Sequence, residues 1–381
     1  MVNPVKILAL AVAAAVVLPW DVALIPGPFP RTNLQTENTK PIDAADYTRK
    51  TLRFPSVDGV ECEAWLYAPK RPATRPPPVV MMGHGLGAQK DMGLHVYAER
   101  FAAAGMVVFV FDYRSFGGSD GEPRNWISPA RHLDDWRAAL RHVRGELAAA
   151  GAVDAGRLAL WGTSYAGGHV LVMAGELREN VTAVVAQVPF LDGKVGLQRA
   201  FQTRGLLALL RNAAAGVHDL LRTALRQPPA YLPIAGGLGS NAMMQLDDHE
   251  LGAYFAKHPK VYQGGWRNQA RAAWALEASR YRPIASVPSI TAPVLYITAT
   301  TDSLCPPDVI AAAVAATPNA RQKVMECTHF DVYNGQRFED AVAAELEFLA
   351  EHLLPGGRAP AAAAAAAAEA GADGEGAHEE L

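Results

Sequence analysis

The 381-residue sequence has only three cysteines, and they form neither a disulfide framework nor a metal-binding motif. Cys62, Cys305 and Cys327 include no Cys-x-x-Cys pair and no Cys/His spacing typical of zinc sites. The low cysteine count favours a reducing compartment. The sequence leaves open whether one disulfide bond forms, for example between Cys305 and Cys327.

An excess of positive charge is also absent. The formal net charge is −3, which gives no electrostatic argument for a nucleic acid or an anionic membrane as a partner. Five of the 38 acidic residues follow Arg358, so the rest of the chain has 33 acids against 35 bases and is close to neutral. Half of the residues are hydrophobic and 19% are charged, as in an ordinary globular enzyme.

Three motifs of common enzyme classes are missing. The sequence has no His-Glu-x-x-His run and no Gly-x-Gly-x-x-Gly run that opens a helix. Residues 112–121 are rich in glycine, but no Lys-Ser/Thr pair follows them, which argues against nucleotide binding. We interpret this segment as structural, forming part of a pocket wall.

The first 46 residues combine an apolar segment with an irregular arm. Residues 7–20 are an apolar run behind Lys6, shorter than the ~20 residues that span a membrane and without a clear cleavage site. A signal peptide, a membrane anchor and a helix packed on the domain all remain open. A cytoplasmic location is favoured, with export or membrane attachment through this segment as alternatives.

Apolar strands and amphipathic helices alternate along most of the remaining chain. This alternation predicts a mostly parallel sheet with helices on both faces, formed by residues 47–190 and 288–356. Residues 191–287 show no convincing strand and have helical patterns at 206–210 and 268–276, so we expect a helical cap or lid inserted into the sheet domain. Residues 357–381 predict a disordered, alanine-rich acidic tail.

A serine lies between a predicted strand and a predicted helix. In Gly162-Thr163-Ser164-Tyr165-Ala166, small residues surround Ser164, as a sharp turn between closely packed backbones requires. Such a turn exposes the serine oxygen and directs the Tyr165 N–H toward a developing oxyanion. The pattern predicts a nucleophile, with Ala166 where the Gly-x-Ser-x-Gly motif has its second glycine.

A nucleophilic serine needs a base and an acid that orients the base. Asp302 follows the predicted strand that ends at Thr298, and His329 follows the next strand, which ends near Met325. Side chains beyond the carboxyl ends of parallel strands face the ligand site. The order Ser164, Asp302, His329 therefore predicts a catalytic triad.

Two other histidines are weaker candidates for the base. His84 follows an earlier strand and is flanked by glycines, which suits a loop whose backbone approaches the substrate. We expect the Leu86 N–H of this loop to complete the oxyanion hole with Tyr165. His169 lies inside the helix after Ser164, and we interpret it as structural.

These segments resemble the α/β-hydrolase superfamily. The resemblance rests on Gly83-His84-Gly85, on residues 112–119 and 162–168, on Asp302 with Pro306-Pro307, and on residues 328–331. It is strongest for the dienelactone-hydrolase and Xaa-Pro-peptidase-like branch, which includes esterases and polyketide transferases, and it covers roughly residues 51–354. It implies Ser164 as nucleophile, His329 as general base and Asp302 as the acid that orients His329.

We therefore expect a serine hydrolase that cleaves a carboxylic ester or thioester through an acyl-enzyme, without a metal or organic cofactor. The expected partner is a small acyl substrate, and the sequence leaves the oligomeric state open. Apolar parts of the insertion (206–210, Trp266, Trp274) either line an acyl pocket or form a small core of their own. An acyltransferase with the same triad is the main alternative, and a serine peptidase is a weaker one.

Overall fold

The computed structural model describes residues 40–70, 75–256 and 266–357. The apolar segment 7–20 and the acidic tail after residue 357 lie outside the described residues. The described residues contain thirteen strands and eight α-helices, and outside residues 191–287 the strands and helices alternate as the sequence predicts for a layered α/β protein.

The central sheet has nine strands in the described residues, in the order β1-β2-β3-β5-β4-β6-β7-β12-β13. Strands β5 to β13 of this order run parallel, whereas β1, β2 and β3 pair antiparallel at one edge. The strands are β1 (Ile42–Asp43), β2 (Tyr47–Pro55), β3 (Glu61–Pro69), β4 (Pro78–Gly83), β5 (Val107–Phe111), β6 (Asp154–Thr163), β7 (Ala183–Gln187), β12 (Val294–Ala299) and β13 (Ala320–Met325).

Two layers of helices cover the sheet. The helices are α1 (Leu94–Ala103), α2 (Pro129–His142), α3 (Tyr165–Leu177), α4 (Gly193–Ala224), α5 (Asp248–Ala256), α6 (Trp274–Glu277), α7 (Pro307–Ala316) and α8 (Gly335–Leu353). Successive residues of β4 alternate between the two cores: Val79 and Met81 pack on the side of α2 and α3, and Val80 and Met82 on the side of α1 and α8. The central strands are apolar on both faces for this reason.

Residues 191–287, which we call the insertion, are not purely helical. Helix α4 contains the predicted helical pattern at 206–210, but four short strands also form: β8 (Tyr231–Leu232), β9 (Ala235–Gly237), β10 (Met244–Leu246) and β11 (Ala270–Arg271). They pair as two small two-stranded sheets. The expectation of no strand in this region is therefore wrong, and so is a continuous helix over 268–276. Strands of two or three residues are too short to give a period-two pattern.

The three cysteines are buried free thiols, so the Cys305–Cys327 bond that the sequence left open is not formed. No helix within the described ranges is long and apolar enough to cross a bilayer. The irregular arm ends in β1, which pairs with β2 and extends the antiparallel edge of the sheet.

Helix α8 places a carboxyl group inside the core. Glu345 is fully buried, and it accepts a hydrogen bond from Trp161 Nε1 of β6 at 2.9 Å. Burial disfavours the charged form and raises the pKa of Glu345 to about 8. The folded protein therefore holds a proton at neutral pH that the unfolded chain has released.

We expect Glu345→Gln to become more stabilising, relative to the wild type, as the pH rises from 5 to 8. In the wild type, the free energy of unfolding falls over this interval because only the folded state keeps the Glu345 proton. Glutamine can still accept the Trp161 hydrogen bond and carries no charge, so the stability of the variant relative to the wild type should increase by about 3 kcal/mol between pH 5 and pH 8. Urea unfolding at both pH values measures it. Glu347→Gln, at an exposed position of the same helix, is the control, and an equal pH response of the two variants would contradict the prediction.

Candidate active site

Ser164 lies between β6 and α3 in a strained backbone conformation. Its φ is 56° and its ψ is −118°, outside the regions that non-glycine residues normally adopt. Two backbone hydrogen bonds to the end of β7 and the segment after it hold this geometry. Ser164 N donates to Gln187 O and Ser164 O accepts from Phe190 N, both at 2.8 Å. The side chain therefore extends from a rigid turn at the carboxyl edge of the sheet.

Close backbone packing explains the small residues around the turn. A Cβ on Gly162 would lie 2.2 Å from Ala166 O, and one on Gly168 would lie 2.4 Å from Phe190 O. Neither position has room for a side chain. Ala166 is tolerated where the sequence motif has glycine, with its methyl group fully buried.

Asp302, His329 and Ser164 form a continuous hydrogen-bonded series. His329 Nδ1 lies 2.6 Å from Asp302 Oδ2, and His329 Nε2 lies 3.1 Å from Ser164 Oγ. The other oxygen of Asp302 accepts from the backbone N–H groups of Leu304 and Cys305, at 2.8 and 2.7 Å. Both Asp302 and His329 are almost completely buried. The three residues follow β6, β12 and β13, and the parallel sheet brings the ends of these strands together, as the sequence predicts.

The other two histidines do not contact Ser164 in this way. His84 is buried against Tyr113, and burial lowers its pKa to about 4. His169 is buried below the turn, where Nδ1 lies 2.6 Å from Tyr281 Oη and Nε2 lies 3.2 Å from His132 Nδ1. The structural interpretation of His169 agrees with these contacts.

Cys305 lies beside the series, and sequence analysis did not identify it as part of the site. Its thiol interacts with Ser164, and burial together with the charge of Asp302 raises the Cys305 pKa well above its usual value. Asp302, Cys305 and His329 each bring a potential metal-ligand atom within 4.8 Å of the others. Since both Asp302 oxygens already accept hydrogen bonds from chain donors, the geometry fits an orienting acid better than a metal ligand.

A cavity opens at Ser164 and His329. Its walls are mainly apolar, with Gly85, Leu86, Ala88, Met92 and Leu94 on one side and Thr163, Met244, Tyr254, Phe330 and Tyr333 around the rest. Residues 83–87, which we call the glycine loop, approach the serine closely. A Cβ on Gly85 would lie 3.6 Å from Ser164 Oγ. Such a cavity can hold an apolar group next to the serine oxygen.

The insertion contributes to this cavity, but through residues other than those the sequence suggested. Met244 and Tyr254 line it, whereas Leu206, Leu207 and Leu210 are exposed to solvent. Trp266 is buried, and its Nε1 donates to Gly87 O at 3.0 Å, so it supports the glycine loop. Trp274 is partly buried against the main core and does not line the cavity either, so the alternative that these residues line an acyl pocket is wrong. No local pattern distinguishes Met244 from other apolar residues of the insertion.

Residues 112–121 also have a different position from the one expected. They do not line the cavity; instead Tyr113 packs on His84 and Asp112 binds Lys90, on either side of the cavity-lining Gly85 and Leu86 in the sequence. Asp112 is fully buried and accepts from Lys90 N at 2.7 Å and from Gly118 N at 3.0 Å. The Lys90 ammonium contacts both Asp112 and Glu63. Burial alone would lower the Lys90 pKa, but these two carboxylates raise it.

Comparisons with known proteins agree on one family. The family model described as serine aminopeptidase, S33 (Hydrolase_4) matches residues 74–330. The chain is 34% identical over 298 residues to the quorum-quenching protein AidA of Acinetobacter baumannii (strain MDR-ZJ06), a match that covers 78% of this chain and 93% of that protein. It is 27% identical over 316 residues to the polyketide transferase af380 of Aspergillus fumigatus, covering 80% and 99%.

Solved structures show the same fold. The chain matches α/β hydrolase GrgF from Penicillium sp. sh18 with a TM-score of 0.63 and 23% identity, covering 80% of this chain and 99% of that one. It matches DcsB, in a complex with a substrate analogue, with a TM-score of 0.66, 22% identity and the same coverage. At these identities the match establishes the architecture alone.

Proposed function

The chain belongs to the serine aminopeptidase S33 (Hydrolase_4) family of α/β hydrolases, and we propose that it cleaves a carboxylic ester or thioester at Ser164. The family makes it an esterase-like serine hydrolase. The observation that carries the proposal is the position of His329 between the other two residues. Its Nδ1 lies 2.6 Å from Asp302 Oδ2, and its Nε2 lies 3.1 Å from Ser164 Oγ.

In the proposed reaction, His329 takes the proton from Ser164 Oγ as this oxygen attacks the carbonyl carbon. Asp302 holds the imidazole with Nδ1–H toward its carboxylate and stabilises the imidazolium that forms. His329 then protonates the departing alcohol or thiol, which leaves an acyl group on Ser164. A water molecule that His329 deprotonates releases this acyl group as a carboxylate.

The carbonyl oxygen becomes negative in the tetrahedral intermediate and needs donors. Leu86 lies in the cavity wall beside Ser164, and Tyr165 is the first residue of α3. The first N–H groups of a helix have no partner within it, which leaves the Tyr165 N–H available. We propose the backbone N–H groups of Leu86 and Tyr165 as the oxyanion hole, aided by the positive end of the α3 dipole.

The apolar cavity favours a substrate with an apolar acyl group. Eight aliphatic or aromatic side chains line it beside Ser164: Leu86, Ala88, Met92, Leu94, Met244, Tyr254, Phe330 and Tyr333. A thioester is compatible with the same chemistry, and the thiohydrolase apmlB of Arthrinium phaeospermum is 33% identical over 138 residues, 36% of this chain and 42% of that protein.

Acyl transfer is the second candidate function, and the similarity to polyketide transferases favours it. The same acyl-enzyme would be attacked by an alcohol or amine in place of water. Product formation that requires the acceptor, with little release of free acid in its absence, would identify a transferase. A peptidase remains the weaker proposal.

Labelling with a fluorophosphonate probe tests the proposed nucleophile. The wild type should be labelled and Ser164→Ala should not, because the probe forms a bond with the activated serine oxygen. Ser289→Ala is the control, since the Ser289 hydroxyl donates to Ser286 O in a short helix away from the cavity. Labelling that survives in Ser164→Ala would place the nucleophile elsewhere. Ester and thioester substrates of increasing acyl length, with and without an alcohol acceptor, then define the reaction.

A further inference from the structure

Solvent-exposed apolar side chains are concentrated on one segment of the insertion. Ten large hydrophobic residues in the described part of the chain are more than 40% exposed, and eight of them lie between residues 197 and 225. They are Leu197, Phe201, Leu206, Leu207, Leu210, Leu220, Leu221 and Leu225. Single exposed leucines are common, but such a concentration marks an interaction surface.

Five of these residues share one face of the part of α4 that follows Gly205. At about 100° per residue, Leu206, Leu207, Leu210, Leu220 and Leu221 fall within an arc of about 140°. The opposite face packs on the protein through Ala215, Gly216 and Asp219, which are buried. Helix α4 therefore packs through one side and exposes apolar side chains on the other, and we call Leu206, Leu207, Leu210, Leu220 and Leu221 the α4 face.

The same segment carries an excess of positive charge. Residues 193–226 contain six lysines or arginines and one acid, although the chain as a whole is slightly negative. The acid, Asp219, is buried and paired with Arg271. Lys194, Arg211 and Arg226 are exposed, so cations border the leucines along the segment. Apolar residues flanked by cations are typical of a helix that lies in the interface of an anionic membrane.

We propose that the α4 face binds the surface of a membrane that contains anionic phospholipids. The leucines would enter the boundary between head groups and acyl chains, and the flanking cations would pair with lipid phosphates. A second copy of the chain fits less well, because a symmetric contact would bring the same cations together.

The α4 face is connected to the cavity at Ser164. Arg204 donates to the carbonyl oxygens of Ala242 and Met243, at 3.0 and 3.2 Å, and the next residue, Met244, lines the cavity. Gly205 follows Arg204 and interrupts α4 with a φ of 75°. Arg204 thus links the leucines that follow this kink to the cavity wall. Membrane binding would bring apolar substrates close to the site.

An environment-sensitive dye tests the location of binding. The native cysteines are buried, so a maleimide dye on Leu207→Cys in the full chain labels one position. We expect its emission to shift to the blue when vesicles of phosphatidylcholine and phosphatidylglycerol in equal parts are added. Val324→Cys is the matched control, because Val324 is 55% exposed and lies on β13, away from the α4 face. Its emission should not change.

Two multiple variants test the apolar and the electrostatic contributions to vesicle binding. Replacing Leu206, Leu207 and Leu210 together by glutamine should lower the vesicle partition coefficient on the order of 30-fold, since three apolar side chains are lost. Replacing Lys194, Arg211 and Arg226 by glutamine should lower it about five-fold per cation, and only for vesicles with phosphatidylglycerol. All six positions are exposed to solvent, and circular dichroism checks that each variant is folded.

Three results would overturn the proposal. Vesicle binding that the leucine replacements leave unchanged, with no shift of the Leu207→Cys dye, would assign binding to another segment such as residues 7–20. A blue shift that grows with protein concentration in the absence of vesicles would assign the α4 face to a second copy. Absence of vesicle binding by the full chain would exclude a membrane partner. None of these measurements depends on catalysis, and Ser164→Ala can be used throughout.

Discussion

Replacement of Ser164 by alanine should lower kcat/KM for a p-nitrophenyl ester by about 10⁴-fold or more, and His329→Ala should have an effect of similar size. The two groups act in one step: the Ser164 hydroxyl is a weak nucleophile until His329, 3.1 Å away, accepts its proton. The double variant should therefore be no slower than the slower single variant. Initial rates over a range of ester concentrations measure all three.

The controls for this prediction come from the same chain. Ser289→Ala and His249→Ala remove a serine and an exposed histidine that do not contact the cavity, and their rates should equal that of the wild type. Multiplicative losses in the double variant would mean that Ser164 and His329 act independently, against the proposed mechanism. A His329→Ala enzyme with nearly full activity would show that another base serves Ser164.

Asp302→Asn tests the third residue of the proposed triad. An asparagine at this position can present its N–H₂ group to His329 Nδ1 and so favour the wrong imidazole tautomer, which should cost about 10³- to 10⁴-fold in kcat. The KM should change little, because Asp302 is buried behind His329 and does not line the cavity. A change confined to KM would point instead to a displaced loop.

The positions of the proposed reacting groups were predictable because each follows an apolar strand. Ser164, Asp302 and His329 lie directly beyond β6, β12 and β13, and parallel strands place their carboxyl ends together whatever the length of chain between them. Local patterns thus gave both the position and the order of these residues. The small residues around Ser164 predicted the turn for the same reason, since close backbone contact excludes side chains at Gly162 and Gly168.

The cavity walls could not be predicted, since they depend on contacts between distant segments. Trp266 supports Gly87 from 179 residues away, and Met244 meets Ser164 only because the insertion folds back over the sheet. The sequence leaves open whether the apolar run at 206–210 lines a pocket or forms a small core, yet Leu206, Leu207 and Leu210 are exposed to solvent. Hydrophobicity shows that a residue avoids water or binds an apolar partner, but it does not specify which partner.

Lys90→Met should destabilise the protein by about 3–5 kcal/mol at neutral pH. The Lys90 ammonium is 2% exposed and pairs with Glu63, at 2.8 Å, and with Asp112. Without it, Asp112 would keep a negative charge at a position with no access to water. Lys70→Met is the matched control: it removes a lysine that pairs with Asp43 at the surface, and it should cost less than about 1 kcal/mol. Urea unfolding measures both.

The pH dependence identifies the cause of this loss. Burial would raise the Asp112 pKa, but the Lys90 charge holds it below the usual value in the wild type. The pair therefore stabilises the fold above the unfolded pKa of 3.8, and this contribution is lost as the pH falls further. The Lys90→Met variant can protonate Asp112 at a higher pH, so its deficit in the free energy of unfolding relative to the wild type should shrink on acidification from pH 7 to pH 4.

A triple variant tests the same cause at constant pH. Adding Glu63→Gln and Asp112→Asn to Lys90→Met should recover part of the lost stability at pH 7, because no charge is then left unpaired in the core. A deficit that is independent of pH and unchanged in the triple variant would mean that Lys90 stabilises the glycine loop by packing its aliphatic chain, and not by neutralising Asp112.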